Sequence, residues 1–307
     1  MIITTLHETV WEYATPVTNT FSETRLRPIS DSTQTLKQFS LSVDPLRPIT
    51  AGTDYFGNTI HTFNVLAPHR CVVVTSHSVV ETHRDPFAQQ EPLSEFDLRR
   101  AHVDYLGFDG PVERVPQVVN LACEVGLIQT MAQSQTMGTM TQSQTMFTDH
   151  FAAAQKLNAA IHELFQFEAC VTDVHTPISD VFELGKGVCQ DFAHIFIAAC
   201  RTAGLPARYV SGYLVTRHSR SAEGAFASHA WCEVLLPGVG WIAFDPTNNL
   251  MADDYYIKLA VGRDYRDVPP TRGLFRGVGV QSTLRVRVHT AVHEEGAAVE
   301  LRPELVG

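Results

Sequence analysis

Residues 187–194 read Gly-Val-Cys-Gln-Asp-Phe-Ala-His, followed downstream by Ser-His-Ala-Trp at 228–231 and Phe-Asp-Pro-Thr at 244–247. In that order they supply a thiol, an imidazole and a carboxylate. Cys189 follows a turn-forming glycine and opens an apolar helical stretch, so it falls at a helix N-terminus, where backbone N–H groups and the dipole favour thiolate over thiol. His229 is the candidate base and later proton donor, and Asp245 the acid that orients it. Taken singly each residue is weak evidence, because a cysteine beside an apolar helix is usually a small core residue and a histidine before a tryptophan is usually packed. As an ordered set, each at the end of an element, they read as a nucleophile, a base and an orienting acid.

The elements that must position them follow from periodicity. Val188–Ala203 is apolar at 192, 195, 196, 199 and 200, a helical spacing, and Gly204 and Pro206 stop it. Arg208–Val215, His229–Leu236 and Trp241–Asp245 read as successive strands, the last two joined by the turn Pro237-Gly238-Val239-Gly240. If those two are antiparallel neighbours, the start of one lies beside the end of the other, and His229 meets Asp245 at one sheet edge. The site is then a helix N-terminus set against an antiparallel sheet. Upstream, Val112–Val125 and Phe147–Phe167 carry helical apolar spacing, with Pro116 suited to a first turn.

Residues 1–105 alternate short β-type runs with turn signals, and Ile2–Tyr13, Thr20–Leu26, Thr35–Val43, Thr59–Val65 and Cys71–Thr82 are the clearest strands. Gly57-Asn58 suits a hairpin turn. The expected class is α+β: an N-terminal antiparallel β-sandwich over 1–105, then a catalytic domain over 106–307 with its core at 150–275. Arg84–Glu95 reads as a loop leaving the sandwich. Residues 129–146, with Gln-Ser-Gln-Thr-Met repeated, read as a low-complexity insertion.

Residues 187–248 resemble the transglutaminase-like superfamily, papain-like in its Cys, His, Asp order. The resemblance runs through 187–194, Gly204-Leu205-Pro206-Ala207-Arg208-Tyr209-Val210-Ser211-Gly212-Tyr213, Ser228-His229-Ala230-Trp231 and Gly240-Trp241-Ile242-Ala243-Phe244-Asp245-Pro246-Thr247-Asn248. Residues 262–270, with Gly273 and Gly277, are similar to the tail of the bacterial branch. Glu23–Pro28 and Asp54–Asn58 look like its N-terminal β region. The resemblance implies Cys189 as nucleophile, His229 as base and later acid, and Asp245 as the orienting residue, with the Cys189 N–H as one oxyanion donor and the second left open, because where the papain pattern has a Gln a few residues upstream this chain has Glu183 and Lys186 instead. It implies acyl transfer from an amide through a thioester, most of all a cysteine hydrolase cleaving peptide or isopeptide bonds, with a glutamine-to-amine transglutaminase as one alternative; a non-catalytic binding module of the same fold is the other.

Neighbouring residues have plainer readings. Asp191 reads as a helix-start residue, His194 as packed, Trp231 and Trp241 as strand aromatics that either fill the core or wall a cleft, and Arg263, Asp264, Arg266 and Asp267 as an ion-pair cluster. Residues 216–226 read as a polar loop bordering the cleft, with Arg217, His218 and Arg220 available to a carboxylate.

Over 307 residues the chain is 44% apolar and 18% charged, as expected of a soluble globular protein. A formal charge of −10 with no basic run argues against nucleic acid as a partner. The absence of a leader-like segment or a long apolar run argues for a cytoplasmic protein with no membrane anchor. Six scattered cysteines fit reduced thiols. His218, His229 and Cys232 with Cys189 match no zinc-site spacing, and no loop resembles an EF-hand, so no metal or organic cofactor is expected. The expected partner is a peptide or protein substrate.

Overall fold

The computed structural model describes residues 1–83, 99–128, 142–215, 228–277 and 279–293. The readings of 84–95 as an exit loop and of 216–226 as a cleft loop lie outside the described residues, as does 129–141 of the Met/Gln-rich segment. Residues 142–146 of that segment belong to a helix.

The N-terminal region is a seven-stranded antiparallel sheet that curls about one long strand. That strand, β1 (Ile2–Thr24), joins the first two expected strands into a single run of 23 residues. Its first half buries every second residue, Ile3, Thr5, His7 and Thr9, as the pleat requires. β2 (Gln34–Asp44), β3 (Thr50–Thr53), β4 (Thr59–Val65) and β5 (His69–Thr82) follow. The first half of β1 pairs with β5 and the second half with β4. The register against β5 shifts between Glu12 and Val17, where the strand passes from one leaf of the sheet to the other. Tyr13, Val17, Leu26, Val43, Phe63, Val65, Val72 and Val74 fill the fold of the curl. The β3–β4 hairpin turns at residues 54–58, where Asp54 Oδ1 accepts the Phe56 and Asn58 N–H groups and Gly57 takes a φ of 84°.

The core begins with α1 (Pro116–Glu124), with Pro116 in its first turn, then α2 (Gln142–Leu164), β6 (Gln166–Phe167), α3 (Ile178–Leu184) and β7 (Lys186–Gly187). α4 (Cys189–Thr202) is buried from Gln190 to Arg201. Its expected apolar positions 192, 195, 196, 199 and 200 are all at most 1% exposed. The sheet beneath it contains β8 (Ala207–Leu214), β9 (His229–Leu236), β10 (Gly240–Asp245), β11 (Leu250–Met251) and β12 (Tyr256–Gly262), in the order β11-β10-β9-β8-β12. β8, β9 and β10 are the three strands read from the sequence. β11 and β12 are additions, and β12 closes the side facing the N-terminal region.

One face of this sheet packs on α4. Part of the other meets the curled sheet, where Tyr213, Val215, Ile257 and Leu259 lie against Ile3, Val80 and Val288. Residues 271–293, which the sequence reading placed with the catalytic region, return to β1 as β13 (Thr271–Arg276) and β14 (Ser282–His293). The curled sheet is therefore built from both ends of the described chain. Among the described residues no helix is long and apolar enough to cross a membrane.

Candidate active site

Cys189 is the first residue of α4 and is partly exposed. The turn before it is fixed by two neighbours. Asp191, in the first turn and 1% exposed, accepts the Val188 N–H at 2.8 Å and the Thr172 hydroxyl at 2.6 Å on one oxygen, Oδ2. Burial raises the pKa of this carboxyl, while the two hydrogen bonds oppose the shift. Gly187 leaves room for that arrangement, since a Cβ there would sit 2.8 Å from Asp191 Oδ2 and 3.1 Å from the Phe192 ring. Asp191 is thus a helix-start residue, as its position suggested.

His229 opens β9 and Asp245 closes β10, and the hairpin between them sets Phe244 opposite Cys232. The imidazole Nε2 lies 2.8 Å from Asp245 Oδ2. The Cys189 side chain is the other group beside the ring that raises its pKa, and with Nε2 taken by Asp245 the nitrogen left for the sulfur is Nδ1. Burial lowers the His229 pKa, but the hydrogen bonds to Asp245 and Cys189 and the charge they carry outweigh it and raise the value to about 10. The three residues singled out from the sequence therefore meet at one point.

Asp245 is fully buried, and among the described residues five donors hold it. Oδ1 accepts the N–H groups of Thr247 and Asn248 at 3.0 and 3.3 Å, and Oδ2 accepts from His229, the Asn248 amide at 2.7 Å and the Tyr256 hydroxyl at 2.7 Å. Burial alone would raise its pKa, and the bonds to His229, Asn248 and Tyr256 bring it below the ordinary carboxylate value. Asn248 lay in the stretch that carried the family resemblance, without a role. Tyr256 was missed altogether, because a tyrosine in an apolar strand carries no chemical signature.

The remaining residues do what packing asks. Trp231 is completely buried, near-parallel to the His229 ring at 6.2 Å and edge-on to Tyr256 at 5.3 Å. Trp241 lies under the Arg208 guanidinium at 4.0 Å and meets His102 and Tyr105 edge-on. His194 is buried, accepts the Tyr265 N–H at 3.3 Å, and is held neutral with a pKa of about 3 by burial and the nearby Arg201 and Arg266 charges. Arg263 pairs with Asp267, and Arg266 with Asp264 and Asp109. Lys186 bonds Glu168 at 2.6 Å. No His, Cys, Asp and Glu grouping among the described residues could hold a metal ion.

Residues 135–246 match the transglutaminase-like superfamily, and residues 3–81 match the bacterial transglutaminase-like N-terminal region. An uncharacterized protein of Mycobacterium leprae is 30% identical over 89% of this chain and 93% of its own length. The chain belongs to the transglutaminase-like superfamily. Within it, an uncharacterized Mycobacterium tuberculosis protein is 30% identical over 95% of this chain and 93% of its own length. A protein-glutamine gamma-glutamyltransferase of Pseudomonas aeruginosa is 31% identical over 31% of this chain and 16% of its own length. The fold is shared with a Cytophaga hutchinsonii protein proposed to be a cysteine protease, at a TM-score of 0.71 and 20% identity, over 95% of this chain and 92% of that one. Both the curled N-terminal sheet and the transglutaminase-like core fall within that likeness.

Proposed function

We propose that this superfamily member is a cysteine-dependent acyl-transfer enzyme acting on amide bonds of a peptide or protein, with water as the usual acceptor. The observation that carries the proposal is the position of His229, bonded to the buried Asp245 and near enough to the Cys189 side chain to have its proton held more tightly by it. A protonated imidazole beside the sulfur is the counter-ion a thiolate needs. The thiolate adds to the amide carbon, and the negative charge moves to the carbonyl oxygen. At the first turn of α4 the Cys189 N–H has no intrahelical acceptor, so it can donate to that oxygen. As the tetrahedral species collapses, His229 gives its proton to the departing amine and a thioester forms. His229, now neutral, takes a proton from water, which adds to the thioester and releases acid and thiolate.

Water is favoured as acceptor because Cys189 is partly exposed, whereas transfer to an amine needs a cleft that keeps water out. The second reading, transfer to an amine, is favoured by the identity with the Pseudomonas glutamyltransferase over part of the chain. We place the enzyme in the cytoplasm, a reading supported by its six free cysteines.

The test is the pH dependence of iodoacetamide alkylation at Cys189, read by peptide mass spectrometry in wild type and in His229→Ala. Fast labelling near pH 6 that is lost in the variant supports the proposal. Labelling no faster than at Cys71, an exposed thiol whose pKa is raised by burial and by the Glu12 and Asp44 charges, overturns it in favour of a binding module. Peptide cleavage assayed with and without a primary amine then separates hydrolysis from transfer.

A further inference from the structure

β12 ends the core sheet on one side, with β8 as its strand neighbour. Its other backbone edge is met by three side chains of the N-terminal region, each at most 1% exposed. The Thr82 hydroxyl donates to the Asp254 carbonyl at 2.9 Å, just ahead of the strand. The Gln34 amide donates to the Lys258 carbonyl and accepts the Lys258 N–H, both at 2.8 Å. The Asn58 amide makes the same pair of bonds with Val261, again at 2.8 Å. An amide that donates to and accepts from one residue reproduces what a neighbouring strand would offer, so these side chains stand in for one.

Tyr256 lies between the first two of these contacts. Its ring is 1% exposed and its hydroxyl donates to Asp245 Oδ2, the oxygen that also bonds His229. A shift of this stretch of β12 would carry the phenol away from the carboxylate. We propose that Tyr256 is a positioning residue for Asp245, and that the N-terminal region, through Thr82 and Gln34, holds it in place and so forms part of the catalytic apparatus. This rests on the reading of Cys189, His229 and Asp245 as the reacting set.

Among the described residues, four side chains face the imidazole: Cys189 from α4, Asp245 from β10, Tyr256 from β12, and Trp231 from β9 itself. Removing the Tyr256 hydroxyl does not release the carboxylate, which Thr247 and Asn248 still hold. It leaves the Asp245 charge less shared, and His229 then binds its proton more tightly.

The experiment is an NMR titration of the His229 ring in the full chain carrying 13C-labelled histidine, with the signal assigned by its loss in His229→Gln. In Tyr256→Phe the midpoint is expected to move to higher pH, with proton binding on the order of three- to tenfold tighter. Gln34→Leu should give a smaller movement in the same direction in the wild-type background and none in the Tyr256→Phe background. Thr82→Val, which removes only a hydroxyl, repeats the comparison should Gln34→Leu fold poorly. An unmoved midpoint in Tyr256→Phe overturns the proposal. So does an effect of the N-terminal substitutions that is absent in the wild type or persists undiminished without the phenol, since a merely structural contribution would add in both backgrounds. Failure of the underlying reading looks different: the wild-type midpoint itself would lie near that of a free histidine.

Discussion

An imidazole held between a thiol and a buried carboxylate keeps its proton to a pH at which a free histidine has lost it. For His229 the pKa is raised from 6.5 to about 10, so its contribution to stability is complete below about 6.5 and is lost as pH rises through about 10. Asp245 is lowered, so its contribution is present above its ordinary value near 3.8 and is lost as pH falls through the depressed one. The unfolding free energy of wild type relative to His229→Gln should be level between about pH 4 and 6.5 and shrink toward pH 10, as measured by urea denaturation. A difference that stays constant from pH 6 to 10 would show that His229 is not charged in the fold. Gly187→Ala puts a methyl group against Asp191 and Phe192, and should destabilise by about 1–3 kcal/mol and slow alkylation of Cys189. Unchanged alkylation would show that the turn has slack. The three central residues were legible because reactive side chains at element ends are conspicuous. Thr172 and Tyr256 bond Asp191 and Asp245 through ordinary hydroxyls and left no mark in the sequence.

Strands and helices that face one apolar layer announce themselves by period, and α4, β8, β9 and β10 lie within two residues of where the sequence put them. β12 reads Tyr-Ile-Lys-Leu-Ala-Val-Gly, an apolar run without alternation, because both its faces are covered and all seven residues are buried. Its Lys258 is 2% exposed and shares Glu233, also 2% exposed, with Arg208, at 2.5 Å and 2.6 Å. Asp31 from the N-terminal region bonds the same ammonium at 2.9 Å. Glu233→Gln leaves two cations short of their shared carboxylate and should destabilise by about 3–5 kcal/mol in denaturant titration, as removal of one partner from a buried pair does. A loss below about 1 kcal/mol would mean that solvent reaches the pair. The β8–β9–β12 contact is tightest at Gly212, where a Cβ would lie 2.1 Å from the Ile257 carbonyl oxygen and 2.4 Å from the Trp231 ring. Backbone cannot yield there as a side chain can, so Gly212→Ala should lower the thermal midpoint more than Gly187→Ala does.

At the scale of the whole molecule the local signals run out, because the pairing that closes the curled sheet joins Ile2 to His293. No turn signal or period links residues so far apart, and the division of the chain near residue 105 followed composition, which is silent about partners. From Arg285 to Ala291 β14 alternates exposed and covered residues, and it inserts Val288, 4% exposed, among Ile3, Val80 and Tyr213. Deleting residues 271–307 removes β13 and β14 and leaves β1, the longest strand of the sheet, with one side unpaired along most of its length. A long unpaired edge is a template for another chain, so the deletion should produce concentration-dependent aggregation as well as a lower thermal midpoint. Light scattering across a dilution series reads the first and circular dichroism the second. If the shortened chain stays monomeric and melts as wild type does, the two C-terminal strands are decoration on a sheet that closes without them. If it aggregates while Cys189 in the residual monomer still alkylates at the wild-type rate, β13 and β14 protect the edge of the sheet, and the contacts at Thr82, Gln34 and Asn58 are enough to keep the N-terminal region aligned with the site.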